Sequence, residues 1–497
     1  MKTNNLKWIW LLIACMEFFF VSCEKEIVNP EPDPTGQEEP QEPEEPGNPL
    51  SDEIRLKVNN FIATDVRDYY LWTSTINWSN VVPENEPDPF GFFDKLQYKS
   101  TDQWSMLTDD AEGFMNSVDG IATSYGYELI WGTFRDTNTM FAIVLFVYHD
   151  SPAEKAGLKR GDFIVSLNGT EPNITEANYM DLYNSPTISL GRAFITADGN
   201  LQMDRNPVNM TAVLLYQDPV VKDTIIVKGS HRIGYLFYSS YTMESEQRLQ
   251  EVFTDFKNRG VTDVILDLRY NGGGYTHTSQ LLSSILAPTS AVERQDIFLI
   301  DTWNDEMMSY FKLINEDPNE YFTKTASVNM NLSRLYVLTL PYTASASEAT
   351  MIGLSPYIDV IQIGEETHGK YYGGALLTPL ILDRRINEWV PDTAIENWML
   401  YLMIFRYADK NGDTSFSGGL TPDIYVEETY DFLLPPLGDE RDPLLGKAIE
   451  QITGQAVSTR SATASLRRPH QINGALLRSP LNGKMISDRK LPVPMYK

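Results

Sequence analysis

Between residues 231 and 455 the spacing of apolar positions changes period several times. In "MESEQRLQEVFTDFKNRG" (243–260) they recur at helical spacing and the run ends on Gly260, which predicts an amphipathic helix with a glycine stop. "VTDVILDLR", "LYVLTL" (335–340) and "IDVIQIG" are short unbroken apolar runs, the pattern of strands covered on both faces. "SASEATMIGL", between the last two, reads as a helix. Such alternation predicts an α/β domain with a largely parallel sheet, whose sites form beyond the carboxyl ends of its strands.

Upstream the pattern is different. "SDEIRLKVNNFIATDVRDYYLW" places apolar residues at helical spacing behind a Ser/Asp cap. Residues 116–228 break into β-rich pieces such as "MFAIVLFVY" (140–148) and "MTAVLLY" (210–216). Downstream, "DPLLGKAIEQITG" (442–454) is a helix, and the basic stretch after it has no apolar period. The predicted architecture is multidomain α/β: a helical N-terminal segment (51–115), a β-rich domain (116–228), an α/β domain (229–455) and a disordered tail (456–497).

The first 50 residues belong to no fold. "MKTNNLKWIWLLIACMEFFFVSC" has Lys2 and Lys7, an apolar stretch, then small residues before Cys23, which predicts an export signal over 1–23. Residues 24–50 are rich in proline and acid and predict an extended, solvated tether.

Composition narrows the chemistry. The 497 residues carry 40 basic and 68 acidic side chains, a net charge of −28 that argues against nucleic acid or an anionic membrane surface as partner. Only Cys15 and Cys23 exist, so the body has no disulfide, thiolate metal site or cysteine nucleophile. The five histidines show no metal-ligand spacing. "DKNGDTSFSGGL" (409–420) lacks the sixth-position Gly and twelfth-position Glu of a calcium loop and reads as a turn. No metal or cofactor is expected.

Three loops, each after a predicted strand, hold the candidate chemistry: "LDLRYNGGGY" (266–275), "TASASEAT" (343–350) and "GEETHGKYYGG" (364–374). They supply a hydroxyl nucleophile (Ser345 or Ser347), flexible backbone donors and Lys370, an inventory that fits acyl transfer. Lysine serves as base only when neutral, so its pKa must fall from about 10.4 to roughly 7–8, a preference of roughly 3–5 kcal/mol that burial can supply. Gly272 to Gly274 allow backbone angles that aim amides at an oxyanion, and a helix starting at Ala346 offers another donor.

Two resemblances sharpen this picture. "DSPAEKAGLKRGDFIVSLNGT" (150–170) resembles a PDZ domain in the circularly permuted form of bacterial proteases. That implies capture of a polypeptide through its C-terminal carboxylate at the "SYGYEL" loop, around Tyr125, Gly126, Tyr127 and Leu129. The three loops together resemble the S41 serine peptidases, the carboxyl-terminal processing proteases, whose "DLRxNxGG", "S-A-S-E" and "GExTxGK" elements occur here in order. The resemblance implies Ser345 as nucleophile, Lys370 as base and Ala346, Gly272 and Gly273 as oxyanion donors. Many members orient the lysine with a Gln four residues later or an Asp in the serine helix. Here Gly374 stands at the first position and no Asp precedes Asp359, leaving Gln362, Glu348 or backbone carbonyls.

"FVSC" resembles a bacterial lipobox, which implies lipidation of Cys23 and a lipid anchor in the bacterial cell envelope, on the outer membrane facing the periplasm or the surface. The expected function is a membrane-anchored serine endopeptidase acting on unfolded or tail-tagged polypeptides. The alternative is a catalytically silent S41-like lipoprotein that binds peptides or ligands.

Overall fold

A helix over Asp52–Tyr69 opens the structure because Ser51 Oγ accepts from Ile54 N (3.3 Å) and Asp52 and Glu53 occupy its first turn. Its apolar stripe (Val58, Phe61, Ile62, Val66, Tyr69) packs with Phe92, Phe93 and Leu96 of the helix Pro89–Leu96. The computed structural model describes residues 50–134, 139–195, 201–386, 388–428, 434–457, 470–471, 484–489 and 491. The export signal with Cys23, and the tether up to residue 49, lie outside the described residues. None of the described helices is long and apolar enough to cross a membrane.

The helical segment is not a free-standing layer. Leu71 N donates to Met403 O (3.0 Å), Met403 N to Ser105 Oγ (2.9 Å), and the strand Met106–Thr108 pairs with Met399–Tyr401. Its side chains belong to the same core as Ala346, Tyr401 and Met485. Sequence spacing alone could not reveal this, because the partners are some 300 residues away.

The β-rich domain is an antiparallel sheet of Tyr127–Thr133, Met140–Val147, Phe163–Leu167 and Thr187–Ile195, with Leu201–Met203 and Val208–Thr211 on the last strand. Ser151 caps the short helix Pro152–Lys155, whose first position is the proline that needs no donor there.

The α/β domain rests on a six-stranded sheet in the order Val220–Lys228, His231–Tyr238, Asp263–Asp267, Arg334–Thr339, Asp359–Gly364, Ile424–Tyr425. The first pair is antiparallel and the rest parallel. Alternate residues feed opposite cores. Leu236, Val264, Leu266, Leu335 and Val337 join the core shared with the N-terminal helix. Tyr235, Phe237, Ile265, Tyr336 and Leu338 join the one under the helix Pro443–Thr453. Both faces are covered, which is why these strands read as unbroken apolar runs.

A buried ion cluster fixes the loop after Asp263–Asp267. Arg269 bonds Asp267 (2.9 Å), Glu428 (2.7 Å) and Asp442 (2.8 Å), and Arg160 of the β-rich domain bonds the same Glu428 (2.7 Å). Asp442 also caps Pro443–Thr453 by accepting from Leu444 N and Leu445 N. A second sheet runs Gly273–Tyr275, Lys484–Ser487, Tyr372–Leu377, Met399–Ala408, Ile297–Trp303, Glu320–Tyr321. Part of the expected disordered tail is thus a strand: Met485 and Ile486 supply two adjacent buried apolar residues, too few to show as a period.

Candidate active site

The strand Arg334–Thr339 ends in a tight turn, and the helix Ala346–Leu354 begins immediately after Ser345. Ser345 takes φ 62° and ψ −113°, a conformation that side chains rarely adopt and that persists only when neighbours enforce it. Its N–H donates to Glu348 Oε2 (2.8 Å), its carbonyl accepts from Ala349 N (2.8 Å), and Ala344 N is held by Asn271 O (3.1 Å). Ser345 is 0% exposed and its Oγ has no hydrogen-bond partner among the described residues. Ser347, by contrast, donates its hydroxyl to Asn271 O (3.1 Å). The two serines are thereby distinguished: one hydroxyl ties loops together and the other is uncommitted.

The amide of Ala346 is the first of the helix and has no intrahelical acceptor, so it faces the Ser345 side with the positive end of the helix dipole. Gly273 lies against the serine. A Cβ there would stand 2.9 Å from Ser345 Cβ and 3.1 Å from Ala346 N, and φ is +111°. Its N–H, expected to face an oxyanion, instead donates to Asn271 Oδ1 (2.9 Å). The glycine's part here is to let the two loops touch, because any side chain would push them apart.

Lys370 reaches the same place from the loop between the strands Asp359–Gly364 and Tyr372–Leu377. Glu348 joins the two loops. Its Oε2 accepts from both Ser345 N and Lys370 N (2.9 Å), and its Oε1 from Gly369 N and Thr367 Oγ1 (both 2.6 Å). Burial pushes this carboxyl up to about 7 in spite of the four donors. Tyr407 Oη lies 3.0 Å from Ser345 O and 2.5 Å from Lys370 O, a second tie between the same two residues.

The Lys370 ammonium is 0% exposed and forms no ion pair among the described residues. It lies 3.5 Å from Tyr401 Oη, 5.2 Å from the Trp104 ring centre and 5.9 Å from that of Tyr401. Burial drives its pKa well below the lysine range; repulsion from Lys484 adds to this, while Asp102 and Glu348 oppose it.

The orienting candidates separate clearly. Gln362 gives its amide to Thr339 Oγ1 (3.0 Å), Glu365 O (3.2 Å) and Leu420 O (2.8 Å), a structural commitment between loops. A Cβ at Gly374 would stand 2.5 Å from Met403 Cε and 2.7 Å from Leu402 O, so the strand pairing there leaves no space for a side chain. Glu348 is the residue that touches both loops, through their backbone amides. Tyr401, Tyr407 and Trp104 were missed by sequence reasoning; the signal was two tyrosines inside the ten-residue apolar strand Met399–Ala408, whose hydroxyls need partners when buried.

The other expected site lies in the β-rich domain, where Tyr125, Tyr127 and Leu129 are buried in its core. The two tyrosine hydroxyls donate to Ser185 O and Leu182 O, and the Gly126 N–H to Ser124 Oγ (2.7 Å). These side chains build the core under the loop; they do not line an open groove.

The sequence pattern of peptidase family S41 matches residues 232–426, the span holding Ser345, Lys370 and the glycine loop. A PDZ domain matches 143–182, and the peptidase S41 N-terminal domain matches 57–106. Residues 232–426 therefore form a domain that matches peptidase family S41. Among relatives, the chloroplastic C-terminal processing peptidase of Tetradesmus obliquus is 27% identical over 275 residues, covering 54% of each chain. The carboxy-terminal processing protease CtpB of Bacillus subtilis is 22% identical over 301 residues, 59% of this chain and 54% of that one. The chain thus spans about half the length of the curated relatives it matches. In fold it is similar to a candidate S41 protease from Bacteroides fragilis NCTC 9343, with TM-score 0.65 at 24% identity over 79% of this chain and 97% of that one.

Proposed function

We propose that this protein is a serine endopeptidase that cleaves extended polypeptide segments with a Ser345–Lys370 dyad. The observation that carries the reading is Lys370, a fully buried lysine without a carboxylate partner among the described residues, fastened through Glu348 to a serine whose Oγ is uncommitted. Neutral Lys370 Nζ takes the Ser345 proton as Oγ attacks the peptide carbonyl. The oxyanion faces the amides of Ala346 and Gly272, a contribution of about 10²–10³ in rate per donor. The lysine then passes its proton to the departing amine, and water repeats the sequence on the acyl-enzyme.

The names of the relatives, C-terminal processing peptidases and proteases, support polypeptides as substrates. In this reading the PDZ module docks the polypeptide, and a terminal carboxylate meets the turn at 124–126 when Gly126 N–H exchanges Ser124 Oγ for it. The pattern before Cys23 supports a lipidated, envelope-anchored protein. The test is hydrolysis of casein by the intact chain beside Ser345→Ala and Lys370→Ala. Cleavage by wild type that both substitutions abolish supports the dyad. Binding without cleavage by any form refutes it in favour of a silent peptide-binding homologue.

A further inference from the structure

The strand Lys484–Ser487 is inserted in the middle of the second sheet. It runs parallel to Gly273–Tyr275 on one side (Gly273 opposite Lys484, Tyr275 opposite Ile486) and parallel to Tyr372–Leu377 on the other (Gly374 opposite Ile486). Those neighbours are the glycine loop and the strand that leaves Lys370. In the sheet order they meet only through the inserted segment, so together they form a slot with two unpaired backbone edges.

The segment fills that slot as a peptide ligand would. Tyr401 Oη donates to Met485 O (3.0 Å) and Thr276 Oγ1 to Ile486 O (3.2 Å), while Met485 and Ile486 are 0% and 1% exposed. The Lys484 ammonium lies 4.4 Å from the centre of the Phe114 ring and 5.6 Å from that of Tyr401, and burial pulls its pKa down to about 8. Beyond the strand, Arg489 reaches Pro318 O (2.7 Å) and Glu320 (3.1 Å). A Cβ at Gly273 would stand 2.5 Å from Lys484 O and 2.9 Å from Ser345 Cβ, so this carbonyl and the serine both crowd the space a side chain would fill at that glycine. With the strand in place, Ser345 and Lys370 are sealed from solvent. A second piece of the same carboxyl-proximal stretch, His470–Gln471, pairs antiparallel with Thr133 and Gly132 on the edge of the PDZ strand Tyr127–Thr133.

We propose that residues 484–487 are an intramolecular occupant of the substrate cleft, holding the enzyme closed until a polypeptide strand displaces them. The proposal rests on the peptidase reading above and deepens it: the cleft accepts an extended segment by strand addition, with a long cationic side chain against Phe114 followed by two apolar residues. Four residues held by main-chain bonds and two buried side chains make an exchangeable occupant. A tethered segment has an effective concentration of about 1 mM, so one whose free peptide binds at about 10–100 μM keeps 90–99% of molecules closed, and its removal raises kcat/KM about 10- to 100-fold.

The test compares the intact chain with two variants: a stop codon in place of Lys484, and the double substitution Met485→Asp/Ile486→Asp. Casein hydrolysis is measured with each, and a fluorescent KMISDR peptide is titrated by anisotropy. Expected are variants about 10- to 100-fold faster than the intact chain, with KMISDR binding the truncated protein, competing with casein there, and leaving the intact chain unbound. Variants that fold with unchanged rates, or a peptide that binds both forms equally, overturn the proposal. Variants that lose their cooperative thermal transition also overturn it, by making the strand a structural member of the sheet. If KMISDR binds only the truncated chain and no form cleaves casein, the occupied cleft stands and the peptidase reading falls.

Discussion

Replacing Glu348 by Gln perturbs the joint between the serine and lysine loops without changing its shape. A carboxylate accepts four bonds here, from Ser345 N, Lys370 N, Gly369 N and Thr367 Oγ1. An amide has one oxygen, so it accepts from one pair and turns an NH2 toward the other. Two buried donors without acceptors cost about 2–5 kcal/mol. Because the Glu348 carboxyl sits at about 7 against an ordinary 4.5, the folded wild type holds an extra proton between those values. This contribution to stability is fully present below pH 4.5 and is lost as pH rises through 7. A shift of this size corresponds to about 3 kcal/mol at 1.36 kcal/mol per unit. Glu348→Gln therefore costs most near pH 5 and up to about 3 kcal/mol less near pH 8. Urea unfolding of both proteins at the two pH values measures this, and casein hydrolysis measures the accompanying fall in kcat, about 100-fold for a displacement of the order of 1 Å. A stability difference independent of pH, or activity within threefold of wild type, refutes the role given to this carboxylate.

Activity rises with pH along a single limb as Lys370 loses its proton, well below the usual lysine range. Lys370→Arg, which keeps the charge and cannot release it, removes activity at every pH in a pH–rate profile. Ser347→Ala keeps kcat within a few-fold and costs about 1 kcal/mol in urea unfolding, since it loses the bond to Asn271 O, whereas Ser345→Ala abolishes hydrolysis. Gly374→Gln, which places an amide four residues after the lysine, lowers the melting temperature without raising kcat, because its Cβ meets Leu402 O at 2.7 Å. Arg269→Met leaves Asp267 and Asp442 buried beside an apolar side chain and costs about 3–5 kcal/mol in denaturant unfolding.

Much of the parallel sheet was legible because both of its faces are covered, so "VILDL" and "LYVLTL" are continuous apolar runs bounded by polar loops. The three loops were legible for the same reason: each follows a strand, and strand ends converge. What was hidden depends on pairing at long range. The place of the N-terminal helix against Met403, and the insertion of Lys484–Ser487 beside Gly273, are bonds between segments hundreds of residues apart. No local period encodes them. The choice between Gln362 and Glu348 was hidden too, because both are buried polar residues and only their partners tell them apart.

The strand Met399–Ala408 is bordered by Met106–Thr108, Ile297–Trp303 and Tyr372–Leu377. It brings Tyr401 and Tyr407 to a lysine that precedes them by some thirty residues. During synthesis, a chain that has emerged only through Lys370 already has its serine, glycine loop and lysine, but lacks the wall that dries the lysine. In water that lysine stays charged and cannot act as a base. Under the proposed dyad mechanism, topology works as a timer: the base becomes competent only once Met399–Ala408 has closed over the lysine.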